Sequence, residues 1–384
     1  MSSKEKIKLV RVVTQAEVVL WHLKNFIERS NHDYDLHIIG NGVSRYQTDF
    51  EHVKFYDVKI ERKISFFNDL IALIKISYLL IKIRPKIVHS IMPKSGFISS
   101  IAALITFVPI RIHTFTGQVW ATRTGFSRTL LRFMDKVIYN FNTNCLTDSP
   151  SQTKFLFLNG FSKENKVIRH LGQGSLSGVS LGVFRPVSEI EKVDLRESLG
   201  LKSTDFVFTF LARKSVVKGI VELFESFHQI SHLPNVKLLF IGPDESDGKL
   251  SELYMSYVHL KEKIISYDIV KDHQKFLAVS DVLCLPSSSE GFGTIVIEAA
   301  AMKIPTIGFD IVGLSDAIEN METGILVPLK DVGKFSFAMT NLYNDSVLYE
   351  HLRTNGYQRV IKYFSADYIF KSHYEYYTHL IKTT

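Results

Sequence analysis

Short, mostly apolar runs alternate with segments of helical periodicity along almost the whole sequence. Runs such as Phe206–Leu211 and Val282–Leu285 have the composition of strands that are covered on both faces. Strand–helix alternation of this kind predicts parallel sheets with helices on both sides. At 384 residues the chain is too long for one ordinary core, so we expect two α/β domains.

The apolar runs divide into two series that are separated by a Gly- and Ser-rich stretch, Gly172–Pro186. In the first half the predicted strands are 8–13, 36–39, 53–58, 87–91, 111–115, 144–147 and 167–171, with helices near 16–29, 65–83, 95–107 and 126–141. In the second half the predicted strands are 206–211, 237–241, 264–266, 282–285, 306–309 and 325–327. The sequence therefore predicts one domain over 1–185, a second over 186–365, and a last helical segment, 366–384, that could pack back across both.

Charge is distributed unevenly between the two halves. Residues 1–185 hold 26 basic and 13 acidic residues, a net charge of +13, whereas residues 186–384 hold 20 and 26, a net charge of −6. The basic first half is expected to meet an anionic partner, such as a membrane surface or a phosphorylated lipid acceptor. Residues 62–86 combine apolar side chains with basic flanks, which indicates either a lipid-surface helix or a plain half-buried one.

The remaining composition favours a cytoplasmic location. Cys145 and Cys284 lie far apart in apolar runs and are expected to be buried free thiols. The first residues lack the apolar stretch of a signal peptide. The longest apolar run, Phe97–Ile110, is shorter than the ~20 residues of a membrane-spanning helix, so we expect no such helix.

The strongest chemical signal is Glu290-Gly291-Phe292-Gly293-Thr294, with a second acid, Glu298, eight residues after the first. It follows a predicted strand and opens a predicted helix. Glycines let backbone N–H groups approach a ligand closely, and a helix N-terminus favours a diphosphate. The two carboxylates are suited to hydroxyl groups that flank the phosphates, Glu290 on a sugar and Glu298 on a ribose.

A second signal, Ala212-Arg213-Lys214-Ser215-Val216-Val217-Lys218-Gly219, follows the predicted strand 206–211. Together the two motifs resemble the signature of family 4 glycosyltransferases, which are retaining enzymes of the GT-B fold. The resemblance implies two Rossmann-like domains facing a cleft and a nucleotide-diphosphate sugar as donor. It also implies that Arg213 and Lys218 clamp the diphosphate in place of a metal ion, with no cofactor.

The first half resembles the branch of this family that builds bacterial surface polysaccharides on lipid-linked carriers. The resemblance lies in His89–Gly96, in Arg111–Gln118 and in the loop Gly174–Val179. It implies a UDP-sugar donor and a lipid-linked saccharide acceptor at the inner face of the cytoplasmic membrane. Many members carry a histidine where this chain has Thr116, and His113 is the candidate catalytic histidine, with a core or loop-bracing role as the alternative.

Other activities stay open at this point. A nucleotide-sugar 2-epimerase has a similar double-Rossmann layout and binds the same donors, and a non-catalytic nucleotide-sugar binder is a further alternative. His170 and His273 have no partners at metal-ligand spacing, so no metal site is predicted. No nucleic-acid-binding motif is present in the sequence.

Overall fold

The computed structural model describes residues 6–61 and 65–384, and the chain divides into two compact units. The N-terminal unit comprises the chain up to Gly178 together with Ala366–Thr384, and the C-terminal unit is Val179–Ser365. The division lies seven residues before the predicted boundary at 185–186, because Val179 and Phe184 pack into the core of the C-terminal unit. Arg62 and Lys63 of the predicted basic segment lie outside the described residues.

A seven-stranded parallel sheet forms the centre of the N-terminal unit, in the order β3-β2-β1-β4-β5-β6-β7. Its strands are β1 (Ile7–Gln15), β2 (Tyr34–Asn41), β3 (Lys54–Asp57), β4 (Ile87–Ile91), β5 (Ile110–Phe115), β6 (Asn144–Thr147) and β7 (Arg169–His170). The helices that follow them are α1 (Lys24–Ser30), α2 (Phe66–Ile83), α3 (Pro93–Ile105), α4 (Gly125–Phe141) and α5 (Pro150–Leu158).

The C-terminal unit is built on a six-stranded parallel sheet in the order β10-β9-β8-β11-β12-β13. Its strands are β8 (Phe206–Leu211), β9 (Val236–Ile241), β10 (Ile264–Tyr267), β11 (Val282–Leu285), β12 (Thr306–Phe309) and β13 (Gly324–Val327). Its helices are α6 (Glu189–Ser198), α7 (Ile220–Ile230), α8 (Lys249–Ser256), α9 (His273–Ala278), α10 (Thr294–Ala301), α11 (Leu314–Ala317), α12 (Val332–Asn344) and α13 (Ser346–Tyr363).

The last helix, α14 (Ala366–Thr383), packs into the N-terminal unit. Its Tyr377 is fully buried, accepts a hydrogen bond from Arg11 Nη1 at 2.8 Å, and lies 2.5 Å from His89 Nδ1. The buried Arg11 guanidinium has its pKa lowered by burial, which the hydroxyl of Tyr377 partly offsets. The C-terminal helix is thus joined to the central strands β1 and β4 by a buried polar layer.

Each sheet has one point where the direction of strand addition reverses, between β1 and β4 in the first and between β8 and β11 in the second. Every strand expected from the sequence is present, with ends shifted by at most two residues, and the expected α/β class is confirmed. Helix α5 was not expected. Cys145 and Cys284 are buried and free, as predicted. No helix among the described residues is both long and apolar enough to cross a bilayer.

Candidate active site

The two motifs singled out in the sequence meet at the reversal point of the C-terminal sheet. Strands β8 and β11 are hydrogen-bonded neighbours, with Phe208 opposite Val282. The loop that carries Arg213 and Lys218 leaves the carboxyl end of β8, and the loop that carries Glu290 leaves that of β11. In open parallel sheets this edge, at the reversal of strand order, is where ligands bind.

Backbone contacts hold the two loops together. The N–H and the hydroxyl of Ser288 both donate to the carbonyl of Val217, at 2.9 and 3.0 Å. Gly219 has a φ of 79°, and a Cβ at this position would lie 1.8 Å from the carbonyl oxygen of Pro286. Only glycine allows the chain to pass so close, so Lys218 is held at a fixed distance from the second loop.

Lys218 and Glu290 form an ion pair across these loops. The Lys218 Nζ lies 2.5 Å from Glu290 Oε1, and the two side chains are only 15% and 12% exposed. In a site so poorly hydrated, a charge-assisted hydrogen bond is stronger than on the open surface. The ammonium has three donors and Glu290 can accept several bonds, so both groups retain capacity for a ligand.

Helix α10 begins shortly after Glu290 in the sequence. Its first residue is Thr294, and Gly291, Gly293 and Thr294 all remain partly exposed. The loop after β12 supports the turn, because a Cβ on Gly313, whose φ is 93°, would lie 2.0 Å from the carbonyl oxygen of Gly291. Helix N-termini carry unpaired N–H groups and a partial positive charge, which favours bound phosphate.

Arg213, the other predicted clamp residue, is about half exposed and pairs with Glu245 in the loop after β9, Nη1 to Oε2 at 2.5 Å. Its neighbour Lys214 is buried instead, and its ammonium donates to the Ser266 hydroxyl and the Tyr267 carbonyl at 2.9 and 2.7 Å. Lys214 therefore ties β8 to β10, whereas the guanidinium of Arg213 stays accessible to a ligand.

Glu298, on helix α10, is paired with His273 at the start of α9. His273 Nε2 lies 3.1 Å from Glu298 Oε2, and the imidazole packs beside the ring of Phe184. Burial lowers the pKa of His273, but the hydrogen bond and the negative charge of Glu298, together with Asp272, outweigh burial and raise it. The sequence marks His273 only as a histidine without nearby metal ligands, and its contact with Glu298 follows from no sequence spacing.

Two family models match the chain over its two halves. The model described as glycosyl transferase 4-like matches residues 8–149, and the model described as glycosyl transferases group 1 matches residues 191–359. The chain is also 33% identical over 351 residues to the capsular polysaccharide biosynthesis glycosyltransferase CapM of Staphylococcus aureus, covering 90% of each protein. This chain belongs to the group 1, or family 4, glycosyltransferases.

A second relative and a solved structure are similar to this glycosyltransferase. The UDP-Gal:alpha-D-GlcNAc-diphosphoundecaprenol alpha-1,3-galactosyltransferase of Escherichia coli is 29% identical over 304 residues, which cover 77% of this chain and 76% of that protein. The Anabaena protein HepE, solved in complex with UDP and glucose, superposes with a TM-score of 0.83 at 15% identity, covering 97% of this chain and 99% of HepE. At that identity the likeness shows the fold, and the expected GT-B fold is confirmed.

His113, the candidate catalytic histidine, lies on β5 of the N-terminal unit, whereas the glutamate motif belongs to the C-terminal unit. Its ring is 1% exposed, its Nδ1 lies 2.9 Å from the Ser90 hydroxyl, and burial lowers its pKa to about 3. A Cβ on Gly96 would fall 2.3 Å from its Cε1, so helix α3 packs directly on the imidazole. In this environment the ring has the place of a core histidine, which is the alternative role considered for it from the sequence.

The structure limits how Phe292 can meet a ligand. We predicted it among the donor-binding residues, but its side chain is 3% exposed and packs in the core, with its ring centroid 5.3 Å from that of Phe364. Only its backbone can face a ligand, and the side chain anchors the turn between the two glycines. Over residues 6–61 and 65–384, no three His, Cys, Asp or Glu side chains gather in an arrangement suited to a metal ion.

Proposed function

We propose that this glycosyltransferase moves a sugar from a UDP-sugar to a lipid-linked saccharide in the synthesis of a bacterial surface polysaccharide. The observation that carries the proposal is the Lys218–Glu290 pair, held by the loops at the reversal point of the C-terminal sheet. Such a pair offers a cation for a diphosphate and a carboxylate for a sugar hydroxyl within one site. The names of the staphylococcal and E. coli relatives support the product class and the UDP donor.

In the proposed complex the diphosphate lies at the start of α10, against the backbone of Gly291, Gly293 and Thr294. Lys218 contacts its oxygens without leaving Glu290, and Arg213 reaches it from the same loop after β8, since both side chains have donors to spare. Glu290 then orients the hydroxyls of the transferred sugar, and Glu298 those of the ribose.

The proposed reaction retains the configuration of the sugar. The acceptor hydroxyl oxygen bonds to the anomeric carbon from the side of the leaving diphosphate, the bond from that carbon to the diphosphate oxygen breaks, and the acceptor proton passes to the diphosphate. Arg213 and Lys218 stabilise the negative charge that grows on the leaving group, so we propose that the step needs neither a metal ion nor a cofactor. Full activity in excess EDTA tests this part directly.

The N-terminal unit is proposed to receive the acceptor at a membrane surface. The residues of the chain up to 185 carry a net charge of +13, and a lipid diphosphate carrier and the anionic headgroups around it are both negative. We therefore propose that the enzyme works on the inner face of the cytoplasmic membrane, where nucleotide sugars are available.

The defining experiment incubates the protein with a panel of nucleotide sugars, with and without a lipid-linked acceptor extract, and analyses the products by mass spectrometry. A transferase yields a glycosylated lipid only when the acceptor is present, and NMR of the new linkage reports retention. Conversion of the donor into an epimeric sugar without an acceptor would instead identify a 2-epimerase, and an inverted linkage would refute the proposed stereochemistry.

Variants of the ion pair test the site itself. Lys218→Ala removes a charge-assisted contact and leaves Glu290 unpaired, so kcat/KM should fall about 100- to 1,000-fold. Glu290→Gln should reduce turnover through the sugar contact. Lys249→Ala is the matched control, because Lys249 also pairs with a glutamate, Glu252 at 2.7 Å, but on the exposed surface of α8. Near-normal transfer by Lys218→Ala would rule out the clamp.

A further inference from the structure

Helix α2 presents an apolar stripe to solvent. Its buried face consists of Ala72, Ile76, Leu80 and Ile83, yet the opposite face is apolar as well. The exposed members of the stripe are Phe67, Ile71, Ile74, Tyr78 and Ile81, each between 51% and 77% exposed. Their spacing of four and three residues aligns them along one side of the helix. A row of this kind on one helix marks a contact surface rather than scattered exposure.

The two helices beside α2 extend this surface. Helix α3 packs against both α2 and α4, so the three helices form one layer over the sheet. Phe107, just after α3, is 88% exposed, and Phe126 and Phe133 of α4 are 80% and 60% exposed. We name the exposed side of α2, α3 and α4, from residue 66 to residue 141, the three-helix face.

The charges of this stretch are almost all of one sign. It contains ten basic residues, namely Lys75, Lys82, Arg84, Lys86, Lys94, Arg111, Arg123, Arg128, Arg132 and Lys136. It contains two acidic residues, and the carboxyl group of each accepts a hydrogen bond from another residue of the same stretch. Asp69 accepts from the Lys94 ammonium at 2.5 Å, and the buried Asp135 accepts from the indole N–H of Trp120 at 2.7 Å.

We propose that the three-helix face docks on an anionic lipid bilayer, with the α2 stripe inserted between headgroups and the exposed basic side chains, such as Lys75, Lys82 and Arg128, contacting them. Apolar side chains flanked by cations match the interface of such a membrane, where hydrocarbon begins just below negative charge. A second copy of the chain fits less well, because a twofold contact through the same face would bring like charges together. The proposed function supplies the reason for docking, the lipid-linked acceptor, but the docking itself requires no nucleotide.

Co-sedimentation of the full chain with vesicles tests the proposal. We expect binding to vesicles of phosphatidylcholine with about one-third phosphatidylglycerol, and little binding to phosphatidylcholine alone. Ile74→Glu/Ile81→Glu should lower the partition coefficient at least tenfold, since it removes two inserted side chains and adds negative charge. Ile190→Glu/Val347→Glu is the matched control, because both of its residues are at least 76% exposed in the C-terminal unit. Lys75→Glu/Lys82→Glu should also weaken binding, by a charge effect that salt screens.

Insertion can be observed directly. Cys145 and Cys284 are buried, so a cysteine introduced at Ile74 accepts an environment-sensitive fluorophore selectively. Its emission should shift to the blue on adding anionic vesicles, whereas a label at Val347 should not respond. The proposal is overturned if the wild type does not bind anionic vesicles, or if Ile74→Glu/Ile81→Glu binds them as well as the wild type does. It is also overturned if the only effect of this double variant is to convert a dimer into a monomer in light scattering. Donor binding measured on the same variants without lipid separates such a failure from failure of the proposed function.

Discussion

Replacement of Gly219 by alanine should damage both the C-terminal unit and its donor site. The left-handed backbone of Gly219, with φ 79°, costs an alanine about 1–2 kcal/mol. The new Cβ would also lie 1.8 Å from the Pro286 carbonyl oxygen, so the loops after β8 and β11 must separate by roughly an ångström or more. Forced repacking of this kind adds about 1–3 kcal/mol. We therefore expect a total loss of about 2–5 kcal/mol in the free energy of unfolding.

Gly200→Ala is the control that separates the steric cost of the new Cβ from the cost of the left-handed backbone. Gly200 also has a left-handed backbone, with φ 72°, but no atom lies within 4 Å of its Cβ position. Urea unfolding should show Gly219→Ala to be less stable than Gly200→Ala. Calorimetry should show a UDP Kd at least about tenfold higher, because Lys218 moves away from the proposed diphosphate site. Equal stability and equal UDP affinity in the two variants would refute the argument that this close approach positions the clamp.

Three further predictions follow from buried and paired groups. Burial raises the pKa of the Asp135 carboxyl to about 7, above its value in an unfolded chain. The stability that this carboxyl contributes is therefore complete below about pH 4 and is lost as pH rises through 7. Asp135→Asn should remove up to ~4 kcal/mol of this pH dependence of the unfolding free energy, measured by calorimetry. His273→Gln should raise the donor KM about two- to tenfold, because Glu298 loses the partner that holds it. A donor with a 2′,3′-dideoxyribose should show no such change, since it has no ribose hydroxyls for Glu298. An equal rise in KM for both donors would mean that His273 does not act through the ribose contact. Tyr377→Phe should cost about 1–3 kcal/mol of unfolding free energy in urea, since it leaves the buried Arg11 without its hydroxyl partner, and an unchanged midpoint would contradict that role.

The strands and the two motifs could be predicted because their signals are local. Each strand is a short apolar run, and both motif loops directly follow strands, so the parallel topology places them at one edge of the sheet. The glycines in Gly291–Gly293 are also a local signal, because the turn before α10 includes a left-handed backbone that favours glycine.

Contacts between distant loops could not be derived in the same way. Glu245 lies 32 residues from Arg213, and His273 lies 25 residues from Glu298, so neither pairing follows a sequence period. The packing partner of α14 could not be derived either, because Tyr377 and its partner Arg11 are separated by almost the entire length of the chain. The apolar character of α2 was visible in sequence, but which of its two apolar faces is covered depends on the sheet on which it packs.

A crystal structure of the protein with bound UDP would show whether the donor binds at the reversal point of the C-terminal sheet. We expect the diphosphate at the start of α10, with oxygens about 3 Å from the Lys218 ammonium and from the backbone N–H of Thr294. The ribose should lie within reach of Glu298. A nucleotide bound away from the Gly291–Thr294 turn, with no contact to Lys218 or Glu290, would contradict the proposed donor site.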